Sequence, residues 1–308
     1  MLAALECNRL CLPRPFNARI NVENRLETSA MGTLARTAPM GFAALVLILA
    51  VGPGEAAEWT YALGVHDMEV RDVSSSTYGI GGHAEVDDIT GASRHRYASF
   101  DVYLDHDQDH LDPDHIPVWW ETNLGIGDKF WEGSSSLFAG WDVNLDTRMN
   151  TVSSIERQVH LLPAVVGGFA GNSVDASLKA GIGYNFLEVD DDAPRLRGYD
   201  RTNLRQTTSA GAVAADVTFR IGSSWQVFGH GEEWRESDDW IQTQYFAGFR
   251  VATDHWAQGS QVAFSVEFNE YNLDRYATPG LPAPLGWDDD LMYKLDFRFV
   301  RPSSRKSE

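Results

Sequence analysis

The sequence predicts an all-β fold: an antiparallel, up-and-down transmembrane β-barrel of about 12 strands, with about 10 as the alternative number. Three observations predict it. Apolar and polar residues alternate in segments that recur along the chain, a segment resembling a signal peptide lies near the start, and long acidic connections alternate with short ones rich in glycine and serine. Together they favour a barrel whose outer surface meets lipid and whose interior is polar.

The alternation is clearest between residues 174 and 186. The even positions, from Val174 to Phe186, are apolar, whereas the odd positions include Asp175, Lys179 and Gly181. A period of two residues places the two sets on opposite faces of a strand, and glycines inside the segment disfavour a helix. The segment also exceeds the roughly 9–11 residues with which a tilted strand crosses a membrane.

The last regular segment repeats this pattern. Its apolar members are Tyr293, Leu295, Phe297 and Phe299, and the charged residues between them are Lys294, Asp296 and Arg298. Comparable segments are found upstream at 59–65, 78–86, 97–104, 118–126, 137–145, 160–170, 213–221, 225–227, 241–251 and 262–269. In the noisier segment at 160–170, Pro163 predicts a bend or a bulge.

The connections between these segments are asymmetric. If the first strand runs outward from the periplasm, outer connections are predicted at 106–116, 146–157, 188–207, 235–240 and 272–289, and periplasmic turns at 88–94, 128–136, 171–173, 222–224 and 252–259. Most of the outer set are long and acidic, and most of the periplasmic set are short. This asymmetry is typical of barrels that span a membrane.

The start of the chain predicts export. Residues 31–56 are predicted to be a secretory signal peptide, because a positive stretch precedes the apolar segment at 41–51, which is too short to span a bilayer. Residues 1–30 are interpreted as a wrongly assigned start or a leader, with an N-terminal extension as the alternative. This division leaves a barrel domain at 57–300 and a polar tail at 301–308.

The charge balance excludes one class of partner. The chain has 44 acidic and 25 basic side chains, a formal net charge of −19. A surface this acidic repels polyanions, so nucleic acid is not expected to bind.

The signal peptide, the alternating segments and the Tyr293-x-Leu295-x-Phe297-x-Phe299 ending resemble bacterial outer-membrane β-barrels. The number of strands, with no room for a passenger domain before the first one, is similar to solitary autotransporter-type barrels. The resemblance implies the outer membrane of a Gram-negative bacterium as the location, after removal of the signal peptide. It also implies outer-membrane lipid and the barrel-assembly machinery as partners. The polar tail after Phe299 departs from barrels that end on their last aromatic residue.

Charged residues at the polar positions are predicted to line the lumen. In a narrow barrel they would pair across it, because an unpaired buried charge is costly. Two interpretations stay open: a porin-like pore whose charged wall selects small solutes, and an ion-paired plug in a structural or surface-interaction protein. The predicted lumen charges are Glu85, Asp101, Glu121, Asp142, Lys179, Asp216, Arg220, Arg250, Glu267, Lys294, Asp296 and Arg298.

The segment 105–115 is dense in aspartate and histidine. Carboxylates at alternate positions could chelate Ca²⁺, and the imidazoles could bind a transition metal instead. The simpler interpretation is a solvated acidic outer loop, and no other cofactor is predicted. The candidate metal ligands are Asp105, His106, Asp107, Asp109, His110 and Asp112.

Two further functions are weighed as alternatives. His83 shares a face with Glu85, and His230 shares one with Glu232 near the predicted outer rim, as an outer-membrane hydrolase would require. No nucleophile motif accompanies either pair. The other alternative is a secreted calcium-binding β-sandwich, which would bury its apolar faces between two sheets.

Overall fold

The computed structural model describes residues 57–70, 75–90, 94–106, 118–149, 155–189, 205–276 and 288–301. The segments interpreted as a leader and a signal peptide, residues 1–30 and 31–56, lie outside the described residues, as does the tail from residue 302 onward. Within the part of the chain that is described, none of the helices has the length and apolarity that crossing a bilayer requires.

The described residues form 12 strands and a short 3-10 helix at Leu273–Tyr276. The strands are β1 (Glu58–Val70), β2 (Ser75–Thr90), β3 (Arg94–His106), β4 (Val118–Glu132), β5 (Leu137–Met149), β6 (Ile155–Ala170), β7 (Val174–Val189), β8 (Arg205–Ile221), β9 (Trp225–Glu236), β10 (Asp239–Ala252), β11 (Ser260–Tyr271) and β12 (Asp289–Arg301).

These strands make one closed barrel in which every neighbouring pair is antiparallel. The barrel closes between β1 and β12, where Trp59 lies opposite Arg301. The predicted fold class and the number of 12 strands are therefore confirmed. A single closed sheet is not the two-sheet arrangement that the β-sandwich alternative requires.

The outer surface of the barrel is apolar. The side chains of Leu63 and Ile182 are 76% and 75% exposed, and Leu178, Tyr245 and Leu295 are exposed beside them on the same surface. The opposite face of each strand carries most of the charged and amide side chains, many of them buried. This distribution is the reverse of that in a water-soluble protein, and it is stable when the apolar outer surface contacts lipid. The barrel is therefore a transmembrane one.

The two ends of the barrel are distinguished by their connections. We call the end with the longer connections, such as 107–117, 190–204 and 277–287, the outer end. The other end has short turns and holds both Glu58 and Arg301, and we call it the periplasmic end. Long outer loops and short periplasmic turns are the general rule for such barrels.

Several strands extend further than the sequence predicted. β5 continues to Met149 and β6 begins at Ile155, so the connection predicted at 146–157 is shorter than expected. β9 and β10 are separated by only two residues, where a loop at 235–240 was expected. The reason is physical: beyond the lipid, outward positions need not be apolar, so the alternation ends before the hydrogen bonding does.

Two local predictions were wrong, namely the bulge at Pro163 and the outward direction of Ile241, the first apolar residue of the segment 241–251. Pro163 causes no bulge, because the register between β6 and β7 is the same before it, at Leu161, and after it, at Ala164. Register shifts occur elsewhere instead, and one of them lies between Trp240 and Gln242, where β10 pairs with β9. Ile241, predicted to face outward, lies in this bulge and is buried in a cluster with Trp234.

Candidate functional site in the lumen

The structure places all of the predicted lumen charges on the inward face of their strands. In each strand they alternate with the exposed apolar residues of the outer surface. Register partners agree with this placement, since Asp101 lies opposite both His83 and Glu121, and Asp216 lies opposite His230. The inward set comprises Glu85, Asp101, Glu121, Asp142, Lys179, Asp216, Arg220, Arg250, Glu267, Lys294, Asp296 and Arg298.

Arg148, on β5, is the centre of a cluster that crosses the outer half of the lumen. Its guanidinium contacts Glu121 on the neighbouring strand β4. On β11, half-way around the barrel, it donates to Glu267 at 2.7 Å and to the Tyr271 hydroxyl at 2.9 Å. Asp290 of β12 lies 3.8 Å away. One buried side chain therefore connects opposite walls of the barrel.

Lys294 completes this Arg148 cluster. Its ammonium group donates to Glu267 at 3.2 Å and to the Tyr103 hydroxyl at 3.1 Å. Asn269 donates to both Glu267 and Asp290, at 3.1 and 2.8 Å. The buried carboxylates are thus held by cations and amide donors together, as buried charges require.

A second group of inward side chains fills the outer half beside β1 to β4. His66 Nε2 lies 2.5 Å from Asp105, and the Trp119 indole donates to the same carboxylate at 3.0 Å. The Trp119 ring stacks on Tyr103 with centroids 3.9 Å apart. Met68 packs into this cluster, and neither it nor Trp119 has any exposed surface.

A third group joins β6, β7, β9 and β10. Gln158 donates to Gln242 at 3.0 Å, and Asn185 Nδ2 lies 2.9 Å from His160 Nε2. The ring of Trp234 lies against His160 at 4.5 Å. These side chains are all buried. The three groups together pack the outer half of the lumen with side chains.

The periplasmic half is more open. His83 Nδ1 lies 2.9 Å from Asp101, and Arg298 donates to Glu85 at 3.2 Å. The side chain of Glu85 is 37% exposed although it faces the lumen. These charges of the periplasmic half are therefore paired but reachable by water.

A second paired group in this half is centred on Asp142. Lys179 reaches it from β7 at 3.0 Å, and the Tyr97 hydroxyl donates to it at 3.2 Å. Asn144 in turn donates to Tyr97 at 2.8 Å. The Tyr97 ring lies directly over Gly125, where a Cβ atom would overlap the ring.

The three arginines near the periplasmic end do not form a single ring. Arg220 contacts Asp175 and the Gly171 carbonyl oxygen, whereas Arg298 bonds to Glu85. Arg250 lies on the ring of Phe228 instead. Each guanidinium therefore has its own bonding or stacking partner.

The residues of the hydrolase alternative do not form a nucleophilic site. His230 lies in the middle of β9, not near the rim, and its Nδ1 is 2.7 Å from Asp216. Ser177 donates to the same Asp216 at 3.2 Å. The carboxylate lies between the serine and the histidine, whereas activation of a serine requires the histidine in the middle. Glu232 accepts a hydrogen bond from Trp234.

Of the candidate metal ligands, the structure describes only two. Asp105 faces the lumen, where His66 and Trp119 contact it, and His106 faces outward beside Tyr78. Neighbouring residues of a strand point to opposite faces, so these two do not converge. Asp107, Asp109, His110 and Asp112 lie outside the described residues. Calcium binding by the segment 105–115 stays a prediction.

Arg148, Gln158 and His160 are the central lumen residues that sequence reasoning missed. Arg148 and Gln158 lay in or next to the connection predicted at 146–157, and His160 lay in the segment whose alternation is noisy. For Arg148 a signal existed, because it continues the series of polar even positions Asp142, Asn144 and Asp146 in β5.

No family model matches the sequence, and no curated protein matches it significantly. Among solved structures, the chain is similar to the KdgM porin, with 8% identity, a TM-score of 0.41 and coverage of 78% of this chain and 98% of that one. The NanC porin shows 10% identity, a TM-score of 0.42 and the same coverages. The translocator domain of the autotransporter NalP from Neisseria meningitidis shows 9% identity, a TM-score of 0.39 and coverages of 89% and 99%. These identities and TM-scores are too low to assign a family or a function.

Proposed function

We infer that the protein is a porin-like barrel of a Gram-negative outer membrane, closed across its outer half when the Arg148 cluster is intact. Small solutes pass when that cluster opens. The observation that carries this proposal is the set of contacts from Arg148 to Glu121, Glu267 and Tyr271, which lie on different walls of the lumen. A charged constriction inside a polar lumen is a usual means by which a pore selects the solutes that pass.

The proposed location rests on the apolar outer surface and on the sequence of residues 31–56, which predicts export. Outer-membrane lipid and the barrel-assembly machinery are then the partners during insertion. The test is cell fractionation combined with gel migration of heated and unheated samples. We expect the protein in outer membranes, with a heat-dependent shift in migration. A freely soluble periplasmic protein would contradict the proposal.

Planar-bilayer recording tests the closed lumen. The wild-type barrel is expected to be silent or to open rarely, because buried side chains fill the outer half. Arg148→Ala removes the contact between opposite walls, so stable conductance steps are expected to become frequent. Arg220→Ala is the matched control, because Arg220 is exposed at the periplasmic end and should leave the recording unchanged.

Two other results would overturn the proposal. Large constitutive steps in the wild type that Arg148→Ala does not alter would mean that the Arg148 cluster is no constriction. Silence in both proteins, with the variant shown to be folded by its gel migration, would favour the ion-paired plug of a structural or surface-interaction protein.

A further inference from the structure

Arg250 differs from the other cations of the lumen in having no bonded partner. Among the described inward side chains, Arg148, Lys179, Lys294 and Arg298 each donate to a carboxylate. For Arg250 no hydrogen bond or ion pair is formed within the part of the chain that is described, and its Nε is a buried donor without an acceptor. A buried donor without an acceptor is costly, so the position needs an explanation.

The position of Arg250 is nevertheless fixed by aromatic contacts. Its guanidinium carbon lies 4.7 Å from the centroid of the Phe228 ring. Phe228 stacks on Phe246 with centroids 5.1 Å apart, and its ring covers Gly248, where a Cβ atom would come within 2.7 Å. A guanidinium held by its face on an aromatic ring keeps the N–H groups at its edge free to donate.

The nearest carboxylates are directed away from Arg250. Glu85 and Asp296 attract the guanidinium electrostatically, but both lie beyond ion-pair distance. Glu85 is bonded to Arg298. The Asp296 carboxylate lies over Gly64 of β1 and occupies space that a Cβ atom at Gly64 would fill. Because β1 and β10 lie on opposite sides of β12, this carboxylate points away from Arg250. Arg298 adds a second positive charge near the same place.

We propose that Arg250, Phe228 and Phe246 form a binding site for a small organic carboxylate that carries a ring. The guanidinium edge donates to the carboxylate, and the ring of the ligand packs on the aromatic pair. Arg250 and Phe228 lie in the more open, periplasmic half of the lumen, and Phe246 lies at its upper limit, opposite Glu267. The role of this place as a solute site rests on the proposed porin-like function. The site borders the Arg148 cluster, since Lys294 lies 5.8 Å from the centroid of the Phe246 ring. It differs from that cluster because Arg148 and Lys294 both donate to carboxylates, whereas Arg250 does not.

Equilibrium titration of the full-length, folded barrel in detergent micelles tests the site with three probes. Benzoate has the carboxylate and the ring, acetate has the carboxylate alone, and benzylammonium has the ring with the opposite charge. We expect saturable binding of benzoate, binding of acetate that is about tenfold weaker, and none of benzylammonium. Equal binding of benzoate and benzylammonium would reflect partition into micelles and would overturn the proposal.

Three variants locate the binding. Arg250→Gln should weaken benzoate and acetate by about tenfold or more, because the charged donor is lost. Phe228→Leu should weaken benzoate while leaving acetate within about twofold. Arg220→Gln, at the same end of the lumen but paired with Asp175, should change neither. Wild-type affinity in a folded Arg250→Gln protein, or no binding of any probe by the wild type, would refute the site.

The outcome is separable from that of the proposed function. Titration in micelles requires no conduction, so binding of benzoate by a barrel that stays silent in bilayers even with Arg148→Ala would reject the pore and keep the site. Conductance with no binding of benzoate would keep the pore and reject the site.

Discussion

The two halves of the lumen use arginines of the same chemistry in different surroundings. In the outer half, Arg148 contacts Glu121 and Glu267, and its side chain is 3% exposed. In the periplasmic half, Arg220 contacts Asp175, and its side chain is 40% exposed. Breaking a pair that has been removed from water is costly, whereas water screens an exposed pair. The pattern of charges alone therefore does not identify a constriction, because burial decides how strongly each charge pair holds.

The inward side chains of β1 show how one strand produces both halves. Near the periplasmic end they are small, so that neighbours reach over them: Arg298 and His83 are both register partners of Ala62, and their side chains meet at 3.2 Å. Towards the outer end they become large. From the periplasmic end outward the series is Thr60, Ala62, Gly64, His66, Met68 and Val70. The gradient of side-chain size sets where the lumen is packed.

The largest expected effect comes from Arg148→Met, which should lower the free energy of unfolding by about 3–5 kcal/mol. The substitution keeps the length of the side chain but leaves Glu121 and Glu267 buried without their cation. Denaturant unfolding in phospholipid vesicles provides the measurement. Combining Arg148→Met with Glu121→Gln and Glu267→Gln should recover much of the loss. A cost below about 1 kcal/mol would mean that the outer half is as well solvated as the periplasmic one.

Trp119→Ala should cost about 3 kcal/mol in the same measurement, because it empties space among fully buried side chains of the outer half. Trp119→Phe separates packing from hydrogen bonding. It retains a ring against Tyr103 and loses only the bond to Asp105, which is still contacted by His66. Its expected cost is about 1 kcal/mol. Equal costs for the two variants would show that the bond, and not the packing, closes this part of the lumen.

The sequence predicts the architecture well because the relevant pattern is local. A period of two residues specifies which face of a strand is apolar, and it does so without knowledge of the neighbouring strands. The number of strands and their antiparallel order follow from the number of such segments and the lengths of the connections. The inward placement of charges such as Asp142 and Lys179 follows from the same alternation.

The partners of those charges were not predictable, because they depend on how the barrel closes. Nothing in the local pattern indicates that Arg148 on β5 meets Glu267 on β11. Asp105 was grouped with a metal-binding loop because it begins the series of alternate carboxylates at 105, 107 and 109. Outside the lipid the outward face loses its apolar character, so the end of a strand resembles a loop in sequence.

Gly125→Ala is expected to have an intermediate effect in the periplasmic half, about 1–3 kcal/mol. A Cβ atom would overlap the Tyr97 ring and displace it from Asp142 and Asn144. Gly82→Ala is the matched control, because its Cβ atom would lie 3.5 Å from Val102, an ordinary contact. Equal costs for the two variants would mean that Tyr97 moves aside freely and that this half of the lumen has no fixed packing.

The smallest effect is expected from Arg220→Met, at less than about 1 kcal/mol, because both Arg220 and Asp175 are well exposed. This variant has the same change in chemistry as Arg148→Met, so the difference between the two costs reflects the deeper burial of Arg148 and its larger number of carboxylate partners. Raising the salt concentration should reduce the cost of Arg220→Met further, since exposed charges are screened, and should leave that of Arg148→Met nearly unchanged. If salt reduced both costs equally, water would reach the Arg148 cluster, and the outer half would be open.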